Sequence, residues 1–503
     1  MENSPYFEVN EPAPRIISTG KRELLLGGIL LILGWLLCNS VFFAGLHLGF
    51  ALFAGAAICC SVLYLLSCGH KLTGYTATLL LLSLVICGSF ARSDDRFVKF
   101  IMFCFLSVST TLALCLMSGK NRRAPTGITS LLDFPFVVFR LCFGSLPAAI
   151  RGMTAAFRGS GSAGKKGGAV LLGLAIAVPL LAIVIPLLIG ADAAFDALLQ
   201  QLPDWDLGEL VVSFLFGTPL AVFLYLRCAA LHHSQKREPA CKAHRGIHPF
   251  TVNTVLVAVG FVYAVYLASQ LAYFSGGFSG ILPSGYSLAE YARRGFFELA
   301  WLCAINLLIL TLAVGLVAKK TAAPLATRLL CLFIGIVTLF LAASASAKMF
   351  LYIDAYGLTR LRVLTQVIIF FLGITTIFVC IWLFVPRLPY MKAVLIAALV
   401  MGAMVAWADV DTVVARYNVN AYRSGQLESV DIWYLNELGD GAVPYIALLE
   451  EDSDPNVAAS ARSILTHTYF EEAEDFRGWN YVNHTAKDYF PLPGDTAIPK
   501  QGN

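Results

Sequence analysis

Charge is scarce in this chain. Only 14% of its 503 residues are Asp, Glu, Lys or Arg and 58% are hydrophobic, whereas soluble domains carry about 25% charged and about 45–50% apolar residues. That balance excludes an ordinary soluble domain and indicates an integral membrane protein. No secretory cleavage pattern opens the chain, because the polar N-terminus leads through Lys21-Arg22-Glu23 straight into an apolar run of about 20 residues, long enough to span a bilayer. The first run is therefore read as an anchor.

Chemical motifs are missing as well. The chain has no nucleophile elbow, no HExxH, no paired cysteines and no nucleotide loop, since the glycine-rich Gly159 to Gly168 lacks the GKS or GKT ending. It is read instead as a flexible linker. All thirteen cysteines lie between Cys38 and Cys380, within apolar runs or short connections, which points to small buried side chains and away from a disulfide framework. Almost no charge falls in the middle of an apolar run, as an ion pathway would require. No metal, cofactor or nucleic-acid partner is expected.

What is present is a long series of apolar segments. Eleven spans are predicted, at 24–43, 48–67, 75–90, 97–117, 169–189, 210–226, 251–274, 296–317, 329–350, 363–385 and 393–408. The fold class is therefore all-α, a polytopic transmembrane helical bundle with a small C-terminal extracytoplasmic helical domain. Residues 1–23 form a cytoplasmic tail, 24–408 the transmembrane domain and 409–503 an acidic region outside. Twenty-two of the thirty Lys and Arg before the tail fall on segments that are inside if the N-terminus is inside, so the positive-inside rule gives N-in, C-out. From Asp409 onward sixteen acidic residues face six basic ones.

The connections carry most of the polar information. Residues 118–168 form the longest cytoplasmic segment, and Ile128 to Phe157 is apolar yet interrupted by Asp133, Pro135, Arg140, Pro147 and Arg151, the pattern of an interfacial helical pair. His232, His233, Cys241, His244 and His248 crowd another cytoplasmic loop, but their spacing matches no strong zinc pattern and Lys242 and Arg245 intervene. Val430 to Leu449 and Asn456 to Leu465 read as short amphipathic helices, with turns at Gly439 to Gly441 and Asp452 to Pro455, while the chain from Trp479 shows no clear periodicity and is predicted to be partly extended or loose.

Two charged stretches stand out at the outer edge. In Tyr286 to Glu298, the residues Glu290, Arg293 and Arg294 share a helix face at i, i+3 and i+4. Exposed pairs of this kind are worth only about 0.3–0.5 kcal/mol, and Arg forks suit phosphate or carboxylate groups, so the segment is either a helix terminus or a contact for an anionic lipid or solute. Lys348 to Arg362 lies in the same layer, with Lys348 and Tyr352 on one face. The candidate ligand or partner contacts are Glu290, Tyr291, Arg293, Arg294, Asp354, Tyr356, Arg360, Arg362, Arg416 and Asn418.

Several long blocks fall in a familiar order: Ala191 to Phe195, Tyr291 to Glu298, Tyr352 to Arg362, Ala415 to Asn418, Asp431 to Leu438 and Asp440 to Pro444. In these the chain resembles the bacterial multi-pass membrane proteins grouped as domain of unknown function 4173, with the sister group 4153. The resemblance implies a membrane bundle and no established activity, cofactor or catalytic residue. A departure follows Arg92-Ser93, where Asp94-Asp95-Arg96 is more charged than the resemblance leads one to expect.

The function expected is a non-enzymatic envelope sensor, scaffold or regulatory subunit in the bacterial cytoplasmic membrane, touching the lipid bilayer and binding a ligand or an envelope protein partner at its outer face. Two other classes stay open: a transporter of a small or anionic solute, and a membrane-embedded glycosyltransferase-like transferase using Asp94 and Asp95 as metal or base carboxylates.

Overall fold

The computed structural model describes residues 20–121, 133–149, 151, 207–233, 247–277, 296–316, 324–467 and 475–489, with four isolated positions between 177 and 188. Among the described residues the regular structure is helical and no strand occurs. Among the described residues nine helices are long and apolar enough to cross a membrane, and a tenth, Gly74–Ser89, is shorter. Ten of the eleven predicted spans thus have a helix. The remaining one, 169–189, falls almost wholly outside the described residues, as does the linker 159–168.

In chain order the helices are α1 (Lys21–Asn39, prolonged by a π turn Ser40–Ala44), α2 (Leu48–Ser67), α3 (Gly74–Ser89) and α4 (Arg96–Ser118), then α5 (Leu207–His233), α6 (Pro249–Gly277) and α7 (Phe296–Leu316). They continue with α8 (Leu325–Tyr356), α9 (Arg360–Phe384) and α10 (Tyr390–Ala408). Local chemistry sets several starts. Thr73 and Thr76 form a reciprocal capping box at α3, Asp95 Oδ1 accepts from Phe97 N at 2.8 Å and Val98 N at 3.1 Å at α4, and Thr359 caps α9.

The bundle has two halves. In one, α1, α2, the end of α4, the 137–149 segment and α5 share a core around Leu30, Leu65, Leu114 and Leu231. In the other, α6 to α9 pack around Leu310, Ile334, Val337 and Leu341. Helix α10 joins them, contributing Tyr390 and Met391 to the second half and Leu399, Ala403 and Ala406 to a core shared with α2, α3 and α4. In the 137–149 segment Val137 and Cys142 are buried against the first half while Phe139 and Phe143 are exposed.

Helices α1 and α5 come together closely enough to exclude side chains. A Cβ on Gly217 would lie 2.8 Å from Trp35 Cα and 2.9 Å from the Gly34 carbonyl oxygen, and one on Gly34 would lie 2.7 Å from Ala221 Cβ. Gly217 and Ala221, four apart, provide the small-residue face that such an approach needs. Trp35 Nε1 then donates to Thr218 Oγ1 at 2.9 Å, and Asn39 Nδ2 to Ser213 Oγ at 3.1 Å.

A C-terminal domain grows directly out of α10. Asp409 adopts a left-handed conformation, φ 54°, alone among the described non-glycine residues, and redirects the chain into α11 (Val410–Arg423). Then follow α12 (Ile432–Glu437), α13 (Val443–Ala447), α14 (Pro455–His467) and α15 (Tyr481–Ala486). The turns at Gly439 and at 452–455 sit where expected. Within the stretch from Trp479, predicted partly extended or loose, Tyr481–Ala486 forms α15, and 490–503 lies outside the described residues: Asn480 caps the helix through Asn483 N at 2.7 Å, and Val482 and Ala486 bury one side. Six residues are too few for a readable period. The domain core of Val414, Val419, Leu435, Leu449 and Ala461 is continuous with Leu358, Val363 and Leu364 around the start of α9, and with Val405 of α10.

Because a Cβ at Gly217 would meet the Trp35 ring edge at 2.8 Å and also two backbone atoms, Trp35 Cα and the Gly34 carbonyl oxygen, that no rotamer change can move, Gly217→Ala should destabilise the protein by about 1–3 kcal/mol. Thermal unfolding of the detergent-solubilised chain checks this, and a wild-type melting temperature would contradict the close approach.

Candidate functional site

The richest polar assembly lies between the bundle and the C-terminal domain, at the end of the bundle that can be called its C-terminal face. It draws on the α1–α2 turn, the α3–α4 connection, the first turn of α4, the start of α9, the α10–α11 bend and α15. These parts of the chain meet because each apolar helix must leave the membrane near the same level, so its terminal polar residues collect in one layer.

Arg360 is the hub. Its guanidinium grips Asp411 with two parallel bonds, from Nε to Oδ1 and from Nη2 to Oδ2 at 2.8 Å, and Nη2 also reaches the Glu437 carbonyl at 3.3 Å. Its backbone amide donates to Tyr434 Oη at 2.9 Å. Nε stands 3.8 Å from Asp95 Oδ2, an oxygen otherwise without a hydrogen-bond partner among the described residues. The two carboxylates are buried, with side chains only 5% and 4% exposed, while that of Arg360 is 38% exposed. Bidentate pairing of this kind fixes direction as well as distance.

Burial pushes the Asp411 carboxyl up to about 6, against the pull of Arg360, whose own pairing with Asp411 holds the guanidinium charged. At neutral pH the pair is therefore ionic. Burial also raises Asp409, whose Oδ2 accepts from the Thr412 hydroxyl, and Asp440, whose Oδ2 accepts from Asn483 Nδ2 at 2.9 Å.

A second node surrounds Lys99. Its Nζ is 2.9 Å from His47 Nδ1 and 3.3 Å from Asp94 Oδ1, and the residue is only 6% exposed. An ammonium can only donate, so His47 Nδ1 must accept, and Asn480 Nδ2 approaches the same nitrogen at 3.4 Å. The ring is the neutral Nε2–H tautomer, with Nε2 3.6 Å from Asp94 Oδ1. Burial and the neighbouring ammonium push the imidazole down to about 4.

The segment after residue 475 ties the layer to the first half of the bundle. Arg477 reaches Asn39 Oδ1, Asp475 and, at 3.1 Å, Glu209 Oε1. Leu48 N and Gly49 N donate to the carbonyls of Trp479 and Arg477 at 3.1 and 3.0 Å. Arg92 lies over the Tyr481 ring, 4.1 Å from its centroid.

The contacts expected from sequence divide into three groups. Arg360 is in the layer. Arg362 and Asn418 are turned to structural use: Arg362 Nη1 donates to the carbonyls of Tyr356, at 3.1 Å, and Gly357, with its guanidinium over Tyr352, and Asn418 clamps both the amide and the carbonyl of Leu358 at 2.6 and 2.9 Å. Asp354, Tyr356 and Arg416 are exposed, with Asp354 interacting with Tyr417 beside Arg416. Glu290, Tyr291, Arg293 and Arg294 lie outside the described residues, as do Cys241 and His244.

Where α7 is described, its start does meet the end of α8. Phe296 packs on Met349 and Ile353, and Glu298 acts electrostatically on Lys348. The Asp pair proposed for transfer chemistry is engaged by protein groups, Asp95 as helix cap and Asp94 with Lys99 and His47. His47, Lys99, Asp409, Asp411 and Tyr434 were not singled out as contacts by sequence reasoning. Lys99, a lone cation just inside an apolar run, was the available signal.

The family profile described as Domain of unknown function (DUF4153) matches residues 78–449, most of the chain. The match takes in Asp94, Asp95, Lys99, Arg360, Asp409 and Asp411 and stops short of His47 and the 475–489 segment. It is the group that the sequence blocks brought in as a sister of 4173. No curated protein and no solved structure matches the chain.

Arg360→Ala would leave Asp411 and Asp95 buried without their cation, and should lower stability by about 2 kcal/mol. Adding Asp411→Asn should restore part of the loss in thermal unfolding, because it removes the stranded charge. The layer should also respond to acid. A histidine lowered from 6.5 in the unfolded chain to about 4 when folded contributes stability that is present above pH 6.5 and lost as pH falls towards 4. Asp411, raised from 3.8 to about 6, runs the other way, its contribution present below 3.8 and lost as pH rises through 6. His47→Gln keeps an acceptor for Lys99 but cannot titrate, so its melting temperature should fall less than the wild type's between pH 6.5 and 4. Parallel pH profiles for the two proteins would refute the neutral-histidine assignment.

Proposed function

This chain belongs to the DUF4153 family, and from its geometry we propose that it is a non-enzymatic membrane receptor or regulatory subunit whose C-terminal domain presents a binding surface fixed to the bundle by the charged layer. The observation that supports this most is how the layer spends its charges. Arg360 is committed to Asp411 and Asp95, and Lys99 to Asp94 and His47, which is the chemistry of holding two bodies in register. The affiliation with 4173, the bacterial cytoplasmic membrane and the N-in, C-out orientation belong to the same proposal, the last resting on the bias of Lys and Arg towards one side.

Asp354, Tyr356 and Arg416 remain available at the rim, and Trp433, on α12 beside Tyr434, is 69% exposed. A large aromatic standing clear of a small acidic domain suits an anchor for a protein partner. The partner's contact and the bundle are then joined through Tyr434 and Arg360, so that binding above the layer bears on the start of α9.

A photoreactive residue placed at Trp433 in living cells tests the reading. A discrete crosslinked protein of constant mass is expected, its yield reduced at least several-fold by Arg360→Ala at equal protein level. Absence of any adduct, or an adduct indifferent to Arg360, would overturn the proposal. An impermeant thiol reagent on Ser424→Cys in the same cells gives the orientation, and labelling only after permeabilisation would reverse it.

A further inference from the structure

At the end of the bundle away from the C-terminal domain, three elements bring together side chains that lie outside the charged layer. Glu23 sits in the first turn of α1, His232 and His233 in the last turn of α5, and His70 just beyond α2. A donor atom from each of Glu23, His232 and His233 falls within 4.8 Å of the other two. Glu23 is 9% exposed, and the side chain of His233 is 18% exposed.

The arrangement is poorly explained by hydrogen bonding alone. His233 Nε2 is buried with no hydrogen-bond partner among the described residues, although a carboxylate oxygen, Glu23 Oε1, is 3.6 Å away. That is too long for a hydrogen bond. It is close to the separation of two ligands on one tetrahedral ion, about 3.3 Å for metal–ligand bonds of about 2.0–2.1 Å. The same Glu23 oxygen accepts from Tyr64 Oη at 3.3 Å, which holds the carboxylate in place. His70 Nε2 stands 3.2 Å from His232 Nδ1, with the two rings perpendicular, the relation in which an outer group orients a ligating imidazole. Arg22, the cation next to Glu23 in the chain, is directed elsewhere, donating to the Ser67 carbonyl at 2.5 Å.

We propose that Glu23, His232 and His233 form a three-donor site for a divalent transition ion of the zinc class, with His70 as the positioning residue that holds His232 by one ring nitrogen and leaves the other to the ion. Two imidazoles and a carboxylate suit zinc and its first-row neighbours better than calcium or magnesium, which take oxygen ligands. Three protein ligands leave a fourth position for water or an incoming group. The ion fastens the start of α1 to the end of α5, at the opposite end of the pair from the Asn39–Ser213 contact.

The test uses the full chain, purified in detergent without a polyhistidine tag, stripped with chelator and titrated with Zn2+ alone. Expected are one tightly held equivalent per chain by elemental analysis and a rise in melting temperature. Glu23→Gln and His233→Ala should each lose that equivalent, His70→Ala should weaken binding about 10–100-fold, and His484→Ala, in the C-terminal domain, should leave it unchanged. Wild-type chain loaded with Co2+ should show the intense visible bands of a low-coordinate nitrogen and oxygen site, a reading that does not depend on whether any variant folds. Failure of the wild type to retain zinc, zinc retained equally by Glu23→Gln and His233→Ala, or the pale spectrum of six-coordinate cobalt would each overturn the assignment.

Discussion

A charge without a partner is expensive where water is excluded, and this constraint organises the molecule. Within the bundle the helices are joined by neutral polar contacts: Ser83 with Ser109 at 2.7 Å, Tyr263 with Asn306 at 2.6 Å, Thr327 with Asn253 at 2.7 Å, and Gln366 with Ser346. Such contacts fix helix register at little desolvation cost. Charged side chains gather where helices end, in the Arg360 and Lys99 layer at one end and around Glu23 at the other. The apolar lengths thus decide where charge may sit, and charge decides which helix ends meet.

The C-terminal domain shows the two forces acting together. Its core runs without a break into the start of α9 and the end of α10, and apolar burial of this kind is worth about 25 cal/mol per Å2. Burial has no direction, however. Orientation comes from the Arg360 fork on Asp411, from Asn418 on Leu358 and from the backbone pairing of Leu48 and Gly49 with the 477–479 segment. The left-handed Asp409 permits this by turning the chain sharply between two helices, so that α11 need not continue the line of α10.

Much of the fold was legible because membrane helices declare themselves by apolar length: α2, α4 and α9 fall within a few residues of their predicted spans. The layer was less legible. Arg360 stands out in the sequence as charged and terminal and lies in the layer, but Arg362, two residues on, has an identical sequence signature and instead holds the end of α8. The difference lies in which way each side chain leaves its helix turn, which depends on neighbours distant in sequence. His47 and Lys99 were passed over for a related reason. Fifty-two positions separate them, so the unusual cation Lys99 gives no sign in the sequence of its partner, and His47 alone reads as an ordinary boundary residue. At the opposite end, His232 and His233 were noticed, but in company with Cys241 and His244. Glu23, 41 positions from Tyr64 and much further from His233, had no sequence relation to them.

The tight seam between α1 and α5 bears on how the protein is made. Gly34 faces Gly217 and Ala221 at backbone contact, and the partners Asn39 and Ser213 lie 174 positions apart. At a synthesis rate of about 5–20 residues per second, roughly 10–35 seconds pass between the emergence of the first helix and that of its mate. During that interval α1 lies in lipid with its glycine notch unfilled, a surface that any small-residue helix can occupy. Correct biogenesis therefore depends on an early helix waiting in a crowded membrane without a wrong companion, and the order of insertion becomes as much a part of this protein's specification as the contacts in its finished form.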